Sequence, residues 1–106
     1  LPTWGFFSYH ALVLTFIAQN PSGTVREMAA AIGMTERATL TLLRDLKTAG
    51  IITAKRIGRR NAYTIDFEAL ARHRPWAAST APVPESFIDL AVQTLARIAE
   101  AHAVAS

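Results

Sequence analysis

The stretch TVREMAAAIGMTERATLTLLRDLKTAG, residues 24–50, is broken by glycine at 33 and again at 50, and these two breaks constrain the fold most. Glycine inside a helix is costly, but just past a helix end it supplies the left-handed conformation of a tight exit. The helix starts are marked too. Thr24 and Glu27 have the spacing of a capping box, in which the Thr24 hydroxyl accepts from the Glu27 amide and the Glu27 carboxylate accepts from the Thr24 amide. Thr35 takes a capping position before Glu36, whose charge suits the positive end of a helix dipole. The spacing predicts a helix over 25–32, a turn at Gly33, and a second helix over 36–49. Two short helices joined so tightly must cross steeply. Ala29 supplies the small residue such a crossing needs, and Met28, Ile32, Met34 and Leu42 supply its apolar seam. Leu42, Leu43, Leu46 and Ala49 are expected to face the core, which leaves residues 37, 40, 41 and 44 together on another face.

Upstream, Phe6 to Gln19 reads as a helix with Phe6, Phe7, Tyr9, Leu12, Val13, Phe16 and Ile17 spread over nearly every side. Such a helix should be buried on more than one face. Pro21 and Gly23 end it. Downstream, IITAKRI and NAYTIDF flank the turn GRR, and β-branched and aromatic residues around a glycine turn predict a hairpin. FEALARHRPW predicts a short helical turn stopped at Pro75; AASTAPVPE, residues 77–85, reads as a linker. Ser86 is expected to cap a last helix reaching about Val104. The fold class implied is mainly α with a small β-hairpin (α+β), in the order of a winged helix-turn-helix with an extra C-terminal helix. Residues 1–76 would form the first unit, and 86–106 a helix beyond the linker.

Composition narrows the functions open to the chain. Its 106 residues suit one domain, and 51% hydrophobic content is enough for a core. The chain has no cysteine, which excludes a disulfide framework, thiol catalysis and thiolate metal sites and suits a reducing cytoplasm. The apolar run WGFFSYHALVLTFIA is too short and too polar to span a bilayer and lacks the basic region of a signal peptide. His10, His73 and His102 are scattered, Ser8 beside His10 has no third partner nearby, and there is no phosphate-binding glycine loop. No enzyme, cofactor or metal site is expected. The net charge of +3 is unevenly spread. Arg37, Arg44, Lys47, Lys55, Arg56, Arg59 and Arg60 face only Asp45 over residues 37–60, whereas Glu85, Asp89 and Glu100 outnumber Arg97 after Pro75. A basic middle beside an acidic tail points to a nucleic-acid surface with a separate task at the C-terminus.

With these elements in order, TVREMAAAIGMTERATLTLLRDLKTAGIITAKRIGRRNAYTI (24–65) resembles the DNA-binding core of bacterial winged-helix transcriptional regulators of the MarR/ArsR kind. GMTERA, DLKTAGII and IGRRNAYTI are the most telling parts, and Ser8 to Asn20 fits the preceding helix of that family. The resemblance implies a homodimeric double-stranded DNA-binding regulator, a repressor by expectation, with the helix over 36–49 in the major groove. It places Thr35, Glu36, Arg37, Leu40, Thr41 and Arg44 toward the groove, and makes the hairpin over 51–66 a wing. At its tip, Arg59 and Arg60 would reach phosphates or a narrow minor groove, and Asn61 would cap the turn or donate to a phosphate. Leu40 and Thr39 depart from the family pattern, Leu40 being apolar where polar residues are usual.

Ile88, Ala91, Leu95, Ile98 and His102 recur at three-four spacing, with Phe87, Leu90 and Val92 broadening the stripe. This helix either folds back on its own core or seals a homodimer with the first helix, and the second is the favoured expectation. A pocket for a small-molecule effector between these helices stays open. The main alternative is a winged-helix protein-contact module without DNA, which the basic hairpin and basic helix face disfavour. RNA binding would call for exposed aromatic residues, and of these only Trp76 is unassigned.

Overall fold

The computed structural model describes residues 8–72 and 85–102. Ser8 is extended (ψ 160°) and its hydroxyl accepts from the Ala11 amide at 3.2 Å, so α1 runs Tyr9–Gln19. That corrects the expected start at Phe6; Phe6 and Phe7 lie outside the described residues. Every residue from 10 to 18 is at least partly buried, because α1 packs against α2, α3, α5 and the hairpin. Tyr9, expected inside, is half exposed at the first helical position. Gly23 serves close approach: a Cβ there would lie 2.5 Å from the Phe16 ring, which packs on the core.

The caps form as the spacing predicts. Thr24 N–H donates to Glu27 Oε1 at 2.8 Å and Glu27 N–H to Thr24 Oγ1 at 3.1 Å, opening α2 (Val25–Ile32). Gly33 then adopts φ +73° with nothing near its absent side chain, so the backbone angle and not space selects glycine. Buried Ala29 keeps the helix pair close. The Thr35 hydroxyl accepts from the Ala38 amide at 3.0 Å and starts α3 (Glu36–Thr48). Thr39, Leu42, Leu43 and Leu46 form its inner face. The Thr39 hydroxyl is fully buried and donates to the Thr35 carbonyl at 2.8 Å, so this departure from an apolar residue leaves no unpaired group. Ala49 corrects the expected core list. It is the C-cap, exposed, because the helix ends one residue earlier.

An antiparallel hairpin follows, β1 (Ile52–Ile57) and β2 (Arg60–Ile65), with Ile52 opposite Ile65 and Ile57 opposite Arg60. Gly58 has φ +62° and Arg59 does not share the positive φ, the pattern of a type II′ turn whose twist matches the strands. Ile52, Tyr63 and Ile65 bury the base of the hairpin, while β1 beyond Ile52 is exposed throughout. Tyr63 N–H donates to the Pro21 carbonyl at 2.8 Å, fastening the α1–α2 loop to the free edge of β2. Asp66 caps α4 (Phe67–Arg72), its Oδ1 accepting from the Ala69 amide at 3.0 Å.

The last helix, α5, runs Glu85–Ala101. Ser86 is therefore inside the helix and does not cap it, and the expected end near Val104, like Pro75, Trp76 and linker residues 77–84, lies outside the described residues. Val92, Leu95, Ile98 and Ala99 pack against the core, and α5 contacts α1 and α4 of the same chain. Leu90, expected to broaden that stripe, is 60% exposed, and His102 is exposed as well; the side chains of Phe87 and Ile88 fall outside the description. The described chain is mainly helical with one two-stranded hairpin. Among the described residues no helix is long and apolar enough to cross a membrane.

The two faces of α3 should respond differently to truncation. Leu43→Ala, at a fully packed position, is expected to cost about 2–5 kcal/mol, and Leu40→Ala, on the open face, under about 0.5 kcal/mol. Urea unfolding midpoints measure both; equal losses would contradict the assignment of the faces.

Candidate nucleic-acid interface

At 100° per residue, positions 37, 40, 41 and 44 form one stripe of α3. Glu36, Arg37, Leu40, Thr41 and Arg44 are all exposed, opposite the buried Thr39, Leu42, Leu43 and Leu46. Thr35 lies at the head of this face with its hydroxyl engaged as the cap, and the Thr41 hydroxyl donates to the Arg37 carbonyl at 3.3 Å. Both oxygens keep acceptor capacity for an outside donor. Leu40 is half exposed and belongs to no core cluster.

The charges sort by whether the protein already neutralises them. Asp45, the one acid between Arg37 and Arg60, turns to α1 and meets His10 Nε2 at 2.8 Å. His10 is thus a helix residue with one ring nitrogen satisfied. Arg37, Arg44, Lys47, Lys55 and Arg59 have no ion-pair partner among the described residues. Arg56 lies along the hairpin end, its Nε donating to the Gly58 carbonyl at 3.1 Å. The outward face of α3 and the far end of the hairpin therefore carry a net positive charge, against which stand only exposed Glu36 on α3 and the Glu27 partner of Arg60.

Arg60 differs from Arg59. Its Nη1 donates to the Ser22 carbonyl at 3.1 Å and to Glu27 Oε1 at 3.4 Å, clasping the hairpin to the start of α2. The same Glu27 oxygen takes the Thr24 amide, so the capping box and the clasp share one carboxylate. Hydrogen bonds from the Thr24 backbone, then from its side chain, hold the Glu27 carboxyl below its ordinary range against an opposing desolvation, with a lesser contribution from the nearby Arg60 charge. Asn61 is half-buried in β2 and its side chain has no hydrogen-bond partner among the described residues, so it does not cap the turn. Neither the clasp nor the Pro21–Tyr63 bond was expected. Each joins residues more than thirty positions apart, and no local pattern signals such a pairing.

An open, mostly apolar cavity of about 240 Å³ lies where α1, β2 and α5 meet, lined by Ile17, Ala18, Tyr63, Ile65, Phe67 and Ala99. Among the described residues there is no group of three or more histidine or acidic side chains placed to hold a metal ion. Comparison with protein-family models, curated proteins and solved structures finds no match in any of the three.

A depressed carboxyl pKa in the folded state stabilises above the unfolded value and is lost as pH falls through the folded one. Glu27→Gln keeps an acceptor for the Thr24 amide but removes the charge. Its melting temperature is expected to fall slightly below that of the parent at neutral pH, with the gap closing as the solution is acidified through the carboxylate range. Thermal melts from neutral to acid pH check this; a gap that widens on acidification would reverse the sign.

Proposed function

We propose that the chain is a sequence-specific double-stranded DNA-binding transcriptional regulator built as a winged helix-turn-helix. The observation that carries this reading is the net positive charge on two exposed surfaces, where Arg37 and Arg44 on α3, and Lys55 and Arg59 on the hairpin, have no ion-pair partner among the described residues. Of the nearby acids, Asp45 turns to His10, Glu27 pairs with Arg60 of the hairpin and Glu36 stands exposed beside Arg37, so the cations outnumber them. On this reading α3 enters the major groove and the hairpin is the wing. Arg37 donates bidentately to guanine, and Arg44 and Lys47 reach phosphates beside it. Arg59, at the turn, meets the backbone or a narrow minor groove.

The reading includes a homodimer. The inner stripe of α5 is used within the chain, so the dimer would form over what α1 and α5 leave open, where Tyr9 and Leu90 remain exposed. Two-fold symmetry then asks for half-sites about one helical turn apart, roughly 34–36 Å. Sedimentation of a monomer at working concentration would remove the dimer and leave the DNA contact to be judged separately.

In-vitro selection of duplexes by the purified protein tests preference and site symmetry together. Arg59→Ala is expected to weaken binding to all sequences alike and to lower the slope of log K against log salt by about 1. Arg37→Ala should instead relax preference at one base position, at about 1–3 kcal/mol. A parent chain that binds duplex oligonucleotides no better than a neutral protein at low salt would sink the proposal.

A further inference from the structure

Resting on the DNA-binding reading above, we propose that Leu40 is a specificity-determining residue that selects a 5-methylpyrimidine, thymine in ordinary DNA, at one position of each half-site. The inner face of α3 is complete without it: Thr39, Leu42, Leu43 and Leu46 fill the core side, and Leu40 stands half exposed on the opposite face. Arg37 lies one turn before it, Arg44 one turn after and Thr41 beside it, all exposed. Leu40 is thus an apolar centre framed by groups that can bond to phosphates and base edges.

Leucine has neither donor nor acceptor. Pressed against guanine O6 and N7, adenine N7 and N6, or the cytosine amine, it strips water from a polar edge and returns no hydrogen bond, which is unfavourable. Thymine alone among the four bases presents a methyl group in the major groove. Covering that methyl with the Leu40 side chain removes apolar surface of both from water. One buried methyl-sized group corresponds to about a fourfold gain in affinity. The selection is chemical and not steric, so cytosine methylated at C5 shares the favourable contact.

The test starts from the duplex that the unmodified protein selects. Each thymine is replaced in turn by deoxyuridine, which keeps the pairing and lacks the methyl, and Kd is measured at fixed salt. One position per half-site is expected to lose about fourfold. Leu40→Ala should abolish that loss, and Leu40→Met, which keeps an apolar side chain, should retain it. Circular dichroism checks that both variants fold, as an exposed position allows. Tolerance of every deoxyuridine by the unmodified protein, or an unchanged penalty in Leu40→Ala, overturns the inference while leaving DNA binding intact. Failure to retain any duplex overturns the DNA-binding reading and this inference with it.

Discussion

The packing of one face of α3 against the rest of the chain is the contact on which the other features depend. Leu43 and Thr39 are essentially inaccessible, and Leu42 and Leu46 join the same cluster as Val13, Leu14 and Ile17 of α1. Because a helix is rigid, burying residues 39, 42, 43 and 46 fixes the rotation of the whole cylinder. Arg37, Leu40, Thr41 and Arg44 are thereby turned outward at no further cost. The price of a polar residue in that core is avoided locally, since the Thr39 hydroxyl bonds to the Thr35 carbonyl of its own helix. The capping residue at 35 therefore serves twice, its hydroxyl starting the helix and its carbonyl satisfying the buried threonine.

The hairpin is held by different means. Its base is buried through Ile52, Tyr63 and Ile65, but its far end has no core contact to orient it. Isolated two-stranded ribbons are marginal in water, so added edge contacts matter. Here the α1–α2 loop supplies them, with Pro21 accepting from the Tyr63 amide and Ser22 from Arg60. Gly23 lets that loop lie close over the Phe16 ring. Loop, hairpin and the start of α2 are thus positioned together, and α2 leads directly through Gly33 into α3.

What could be read from the sequence was what is local. The Thr24–Glu27 box, the Thr35 cap and the left-handed Gly33 each rest on contacts within a few residues, and each forms as its spacing implies. The hairpin register follows from alternation around Gly58. Misreadings arose where a pattern needed an end point or a phase. Ala49 falls on the apolar stripe of α3 by count, but the helix stops before it and the C-cap turns into solvent. Ser86 has the chemistry of a cap, yet α5 is already helical at Glu85. Leu90 lies five residues before Leu95, about 140° around the helix, so it cannot share the buried stripe that Leu95 and Ile98 define. Of the candidate site, the open face of α3 was legible because amphipathicity predicts a face. The partner of Arg60 was not, because it depends on how the hairpin folds back on α2.

That partner changes how the two adjacent arginines should be understood. A carboxylate beside Arg60 looks at first like a device that removes it from any anion-binding surface. The chemistry of the clasp argues otherwise. Both contacts use Nη1, and a guanidinium has five N–H donors, so Nε and Nη2 remain to meet a phosphate while the side chain stays anchored. Exposed ion pairs of this kind are also weak and screened by salt. The clasp therefore leaves much of the Arg60 charge available, and Arg59 has no ion-pair partner among the described residues. On the proposed DNA-binding reading, both arginines would then be able to meet the backbone, Arg60 from its place beside Glu27 and Arg59 without such a partner.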